Sequence, residues 1–168
     1  MSAKKAQLTF AEMLQANVSE TAKWRQWFDA QPSTILEVRL SIALAKDVRE
    51  FLLHIFAVEL RYAERLKGVP VTDYETLPTQ TVADLFGIGV RAREMYHDYL
   101  ATVTDEDLAG IIEFHTRTAG IMRSSKRKIF LHAMLHGVRH WAQLATALRE
   151  AGHPTNWGKD FLYSDVME

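Results

Sequence analysis

The amino-acid sequence predicts an all-α fold, and three observations carry that prediction. Four long segments place apolar residues at the three- and four-residue steps of an amphipathic helix. The four prolines and eight glycines fall mostly between those segments. One connection, residues 69–79, is polar and long enough to run the length of a helical bundle. We therefore expect a four-helix bundle, residues 1–168 as a single domain, with helices two and three parallel.

The first two helices are predicted from periodicity and stop signals. The first covers about residues 9–30, and Pro32 closes it. The second covers about residues 42–67, with Glu64 among its outward-facing side chains and Gly68 after its end. The long crossover follows.

The third helix is predicted over about residues 82–103, and the acidic segment 104–107 ends it. Residues 111–114 and 120–122 then predict a short hairpin with Gly120 at its turn.

The fourth helix has the clearest boundaries. Ser124 or Ser125 can cap its start, and Gly152 and Pro154 end it. Aromatic residues such as Trp24, Trp27 and Trp141 are expected in the core between these helices.

Composition excludes several classes of site. The chain has no cysteine, so disulfides, thiolate metal sites and cysteine nucleophiles are excluded, and a metal would need His, Asp or Glu. The net charge of -1 provides no general field for nucleic acid or an anionic membrane.

The chain carries no sign of a membrane segment or a secretory signal. Its longest apolar stretch, residues 51–60, is about half of the roughly 20 residues that a membrane span needs. The first residues lack the apolar run of a secretory signal, so we expect no membrane partner and a cytoplasmic location.

Histidines recur on the fourth helix at a spacing that suits a metal ion. His132, His136 and His140 follow one another at four-residue steps and therefore lie along one helical face. His132 and His140 are separated by about 12 Å of helix rise, so one ion can use only one adjacent pair. Spacing alone does not choose between the two pairs.

A third ligand should come from a facing helix. His54 lies in the most apolar part of the second helix and is the best candidate. His97, His115 and His153 are expected at the surface. The alternative is that the spaced histidines make ordinary hydrogen bonds, which would be the better interpretation for a single histidine.

The motifs also resemble a known family. Residues 131–143 carry the three spaced histidines and are followed by a Gly-His-Pro exit at residues 152–154. His54 is followed by Glu59 five residues later and by Arg-Leu-Lys-Gly at residues 65–68, and the tail reads Asp-Phe-Leu-Tyr at residues 160–163. Over nearly its whole length the chain is similar to the DinB/YfiT-like metalloenzymes.

The resemblance implies an up-down-down-up four-helix bundle with its crossover after helix two. It implies His54, His136 and His140 as the metal ligands, with His132 outside them, and a homodimer. Trp141 and Ala142 stand where the family has Arg-Gly, which puts the substrate preference in doubt.

Resemblance to the family's thiol S-transferases implies transfer of a small-molecule thiol to an electrophilic substrate. Three imidazoles suit zinc or nickel, and iron or manganese remains open. Glu59 can orient a ligand or accept a proton, or it can be an ordinary helix-surface carboxylate. A metal-dependent hydrolase and a non-catalytic, metal-stabilised bundle are the alternatives.

A basic cluster near the start of the fourth helix raises one further possibility. Arg123, Lys126, Arg127 and Lys128 can attract an anionic thiol or substrate, or form a solvated surface. Nucleic-acid binding ranks low, because the whole chain is nearly neutral.

Overall fold

The structure, a computed structural model, describes residues 8–43, 45–116 and 119–164. It is mainly helical, as predicted. The helices of the described residues are α1 (Phe10–Asp29), α2 (Val48–Lys67), α3 (Val82–Thr102), α4 (Asp105–Ala109) and α5 (Lys126–Glu150). Two small antiparallel hairpins join β1 (Arg39–Ile42) to β2 (Ala45–Asp47) and β3 (Ile111–Thr116) to β4 (Gly120–Ser125).

Side-chain caps fix where the long helices begin. Thr9 accepts a hydrogen bond from the Glu12 N–H at 3.2 Å, and the Glu12 carboxylate accepts one from the Thr9 N–H in return. Of the two serines considered for α5, Ser125 is the cap, and its hydroxyl accepts from the Lys128 N–H. These caps satisfy backbone donors that the helices themselves cannot.

The predicted start of the second helix at residue 42 is wrong. Ile42 lies in β1, and α2 begins only at Val48. Asp47 has extended backbone angles, and its carboxylate accepts from the Glu50 N–H at 3.0 Å, which makes it the N-cap. Apolar residues continue on both sides of this boundary, so periodicity alone extended the helix too far.

Glu64 is also placed differently from the prediction. Its side chain is fully buried and accepts hydrogen bonds from the Thr72 backbone N–H at 2.8 Å and from Arg91 at 2.9 Å. Thr72 belongs to the crossover between α2 and α3, and its hydroxyl donates to the same carboxylate. A carboxylate on α2 therefore fastens the crossover to both helices.

Contacts between helices have a consistent order. Between α2 and α3, Phe56 packs on Phe86 and Lys67 pairs with Asp98, so residue numbers rise together. This is the order expected of two helices that run in the same direction. Between α2 and α5 the order is opposite, because His54 lies beside His136 while the later Tyr62 packs on the earlier His132.

Aromatic rings fill the core between α1, α3 and α5. Trp24 and Trp141 are both buried and stack with their ring centroids 5.0 Å apart, as the sequence predicts for core tryptophans. Phe86 stacks on Trp141 from α3, and Trp27 is partly buried against the same core. Within the described residues no helix is both long and apolar enough to span a membrane.

Candidate metal centre

A large cavity opens between α2, α5 and the β3–β4 hairpin. Its volume is about 1220 Å³. Val58 and Tyr62 line it from α2, and Phe114 and Met122 line it from the two hairpin strands. Three histidine rings line the part of the wall that α2 and α5 share, namely His54, His136 and His140.

The three rings converge on one point. The Nε2 atom of His54 lies 3.1 Å from that of His136 and 3.3 Å from that of His140. Three ligands at a metal–nitrogen distance of about 2.0–2.1 Å in a tetrahedral site would place their nitrogens about 3.3–3.4 Å apart. The two distances from His54 are close to this spacing, and the ligand atoms of all three residues lie within 4.8 Å of one another, so they form a group that can hold one ion.

Helix geometry explains why these rings meet. His136 and His140 are one turn apart on α5, and their ring centroids lie 4.2 Å from each other. His54 enters from α2, which packs against α5, and its ring centroid lies 4.9–5.0 Å from both. A four-residue step on α5 and an apolar face on α2, together with the packing of α2 against α5, bring the rings together.

Burial keeps the imidazoles neutral. Burial, together with the neighbouring rings of His140 and His54, lowers the pKa of His136 to about 2. Burial and the nearby His140 and Arg139 likewise lower the pKa of His54 to about 4. The pKa of His140 is also lowered, mainly by burial. A metal ligand must be the neutral imidazole, so these shifts favour ion binding at neutral pH.

Gln143 orients the His140 ring. The Nδ1–H of His140 donates to the Gln143 side-chain oxygen at 2.6 Å. Because an amide oxygen only accepts, this bond places the proton on Nδ1 and leaves the Nε2 lone pair directed at the cluster. Gln143 lies three residues along α5, where i,i+3 side chains meet.

The other histidines lie outside the cluster. The His132 ring is exposed and packs edge-on against Tyr62, with centroids 5.2 Å apart. His97 and His115 are exposed and His153 is partly buried, and none of them belongs to the group that can hold an ion. The geometry thus selects the His136–His140 pair over the His132–His136 pair.

Glu59 is not a surface carboxylate. It is buried on α2 and accepts a hydrogen bond from the Arg93 guanidinium on α3 at 3.0 Å. Arg93 also donates to Asn17 and Thr21 on α1. Gly137 packs closely on this network, since a Cβ there would lie 2.6 Å from the Asn17 amide nitrogen. We infer that the network supports the segment of α5 between His136 and His140.

The spacing of residues along the chain does not predict this network. Asn17 and Thr21 are one turn apart on the apolar face of α1, and Arg93 interrupts the apolar face of α3. Polar residues at such positions are a usable signal, because a buried charge needs a partner. The pattern does not say which helix provides that partner.

Residues of the basic cluster have separate environments. Arg127 pairs with Asp105 at 3.1 Å, and Arg123 pairs with Glu113 at 3.7 Å. Both pairs are largely exposed and so contribute little to stability. Lys128 lines the cavity, and so does Arg123. The cluster is therefore a solvated surface at Arg127 and part of the cavity wall at Arg123 and Lys128.

Comparison with known proteins places the chain in context. The sequence model of the DinB family matches residues 1–165, which is essentially the whole chain. A comparison with curated proteins gives no match.

Proposed function

We propose, from the premise that this chain belongs to the DinB family, that it is a divalent-metal-dependent enzyme that transfers a small thiol to an electrophile. One observation supports this proposal most strongly. The Nε2 atoms of His54, His136 and His140 converge at the wall of a cavity of about 1220 Å³. A metal held there by three neutral imidazoles keeps at least one position open for a reactant.

Three residues would hold the ion, and zinc or nickel suits their nitrogen donors best. Iron or manganese is the second choice. A bound divalent ion supplies one chemical effect, which is to lower the pKa of a coordinated thiol so that it reacts as a thiolate. In the proposed transfer the thiol would release its proton to solvent, its sulfur would form a bond to the electrophilic carbon, and the bond from that carbon to the leaving group would break, the leaving group taking the electron pair.

The chain's own side chains bind and orient in this scheme. His54, His136 and His140 are kept neutral by burial, and Gln143 fixes the ring of His140. The apolar side chains from α2 and the hairpin would receive the electrophile and exclude water. The chain has no cysteine, so the reacting sulfur must come from a small molecule.

The test is an activity screen on protein purified without a histidine tag. Metal content is measured first, and the loaded protein is then offered pairs of low-molecular-weight thiols and electrophiles. We expect a thiol- and metal-dependent rate that His54→Ala abolishes. His97→Ala is the matched control, because its ring is exposed on α3 and lies outside both the cluster and the cavity wall, and it should retain most of the rate. A rate equal to background with every pair would contradict the proposal.

Two alternatives predict different results in the same screen. A hydrolase using the same three ligands would act without any added thiol. A non-catalytic, metal-stabilised bundle would show no reaction, but His54→Ala would lower its melting temperature in the presence of metal.

We also propose the up-down-down-up bundle that the family resemblance implies. The order of the contacts between helices supports this topology. Residue numbers rise together along the contacts of α2 with α3, and they run in opposite directions along the contacts of α2 with α5. Between α1 and α5 the order is the same, because Phe10 packs on Phe130 and Trp24 on Trp141.

A homodimer in the cytoplasm completes the proposal. Leu135 and Val138 on α5 are exposed apolar side chains, each about 60% accessible, and a second subunit could cover them. Light scattering tests this directly, and a monomer mass at micromolar concentration would contradict it.

A further inference from the structure

Arg139 points into the metal centre. Its side chain is exposed in the cavity wall, and its Nη2 atom lies 3.1 Å from the Nε2 atom of His140. A guanidinium only donates, so its N–H uses the lone pair of that ring nitrogen. Within the described residues Arg139 forms no ion pair with a carboxylate.

This contact conflicts with metal binding. The lone pair that Arg139 uses is the one that His140 would give to an ion. Once the ion takes it, the guanidinium loses its acceptor and lies beside a second positive charge. A negatively charged oxygen between the two cations would remove both problems, since it can accept from the guanidinium and neutralise charge.

Charges elsewhere in the cavity have the same sign. Lys128 and Arg139 line it, as does Arg123, which pairs with Glu113, and among the described lining residues Glu150 supplies the one carboxylate. The chain as a whole has a net charge of -1, so this excess of positive charge is local. A cavity lined by one sign of charge raises the local concentration of ligands of the opposite sign.

We propose that the molecule meeting the metal carries an oxyanion, a carboxylate or a phosphate, and that Arg139 binds it. This inference rests on the metal centre of the proposed function and adds the class of its substrate. Arg139 is then a specificity-determining residue. It selects acidic small molecules over neutral ones of the same size.

Cobalt-loaded protein provides the test, with small thiols that differ in charge. The probes are 2-mercaptoethanol, mercaptoacetate and glycolate, which replaces the thiol by a hydroxyl. Since the chain has no cysteine, any sulfur-to-cobalt charge-transfer band must come from the added thiol. Glycolate is followed by the change in the cobalt visible spectrum. Each probe is titrated into the wild type, Arg139→Gln and the control Arg149→Gln, an exposed arginine of α5 outside the cavity.

We expect mercaptoacetate to bind at least about tenfold more tightly than 2-mercaptoethanol, as a charge-assisted hydrogen bond would produce. Arg139→Gln should remove that advantage and leave 2-mercaptoethanol binding within about twofold, while Arg149→Gln changes neither. Equal binding of the two thiols, or an advantage that persists in Arg139→Gln, overturns the inference and leaves thiol binding intact. Arg139-dependent binding of glycolate with no thiol band would support the inference and contradict thiol transfer. No binding of any probe overturns both.

Discussion

The buried Glu59 carboxylate on α2 accepts a hydrogen bond from Arg93 on α3 at 3.0 Å. Glu59 follows His54, the histidine that α2 contributes to the cluster, by five residues. Burial raises the pKa of Glu59, and the positive charge of Arg93 opposes that rise. Arg93 also donates to the Thr21 hydroxyl at 2.8 Å. One ion pair and its hydrogen bonds therefore join three helices beside the histidine cluster.

Removing one partner of this pair should destabilise the protein strongly. Arg93→Met leaves the Glu59 carboxylate buried without its counter-charge, and we expect the free energy of unfolding to fall by about 3–5 kcal/mol. Urea denaturation measures it. The double variant Glu59→Gln, Arg93→Met carries no buried charge and should recover part of the loss. A single-variant loss below about 1 kcal/mol would show that the pair is not needed for stability.

Gly137 should resist substitution where another helical glycine does not. A Cβ at Gly137 would lie 2.6 Å from the Asn17 amide nitrogen and 3.1 Å from the Glu59 carboxylate, and both side chains are buried. Asn17 cannot easily move, because it accepts from Arg93. We expect Gly137→Ala to lower the free energy of unfolding by about 1–3 kcal/mol.

Gly87 is the matched control for this prediction. It lies exposed within α3, and a Cβ there would meet nothing within 4 Å. Gly87→Ala should therefore raise stability by up to about 1 kcal/mol through helix propensity. Chemical denaturation measures the free energy of unfolding of both variants. If Gly137→Ala leaves that free energy unchanged, α5 can shift away from the network.

Gln143 should matter for metal affinity without contacting the ion. It accepts from His140 Nδ1 at 2.6 Å, so Gln143→Ala frees the ring to rotate and to change tautomer. We expect zinc affinity to fall about 10- to 100-fold, with little change in stability, since the side chain is exposed. Competition with a chelator of known affinity measures it. Gln143→Glu keeps an acceptor and should keep the affinity; a loss as large as that of the alanine variant would argue against the hydrogen bond.

Acid should destabilise the metal-free protein before its carboxylates titrate. The pKa of His54 is about 4 in the folded protein against about 6.5 when unfolded, so between these values the unfolded chain binds more protons. Stability is therefore retained above pH 6.5 and lost progressively as the pH falls toward 4. His136 acts in the same direction.

Melting temperatures of the protein with a chelator, measured at several pH values between 7.5 and 5, test whether stability falls as the pH falls. His54→Asn lacks the titrating ring, so its melting temperature should change less over that range. An equal decrease in the variant and the wild type would assign the acid sensitivity to other groups.

The sequence was informative where structure is local. The step from His136 to His140 places two rings on one helical face whatever surrounds them, and the apolar sequence around His54 predicted a position at least partly buried, which the structure confirms. Their convergence follows from these two facts together with packing of α2 on α5. Before the structure, the choice of the His136–His140 pair over the His132–His136 pair rested only on family resemblance.

Predictions failed where partners are distant along the chain. Glu64 was predicted to face solvent, because the partners that bury it, Thr72 and Arg91, lie 8 and 27 residues away along the chain. Arg93 and Glu59 are 34 residues apart. No helical period encodes such pairs, because burial of a charge depends on a neighbour that only the tertiary fold supplies.

The cavity is enclosed by two kinds of structure with different freedom to vary. Helices provide the three histidines, whereas Phe114 and Met122 lie on a hairpin that Arg65 fastens to α2 through the backbone oxygen of His115 at 3.0 Å. We expect changes in hairpin length or sequence to alter which molecules enter the cavity while the helices keep the three histidines in place. The hairpin is therefore the natural place to begin re-engineering selectivity.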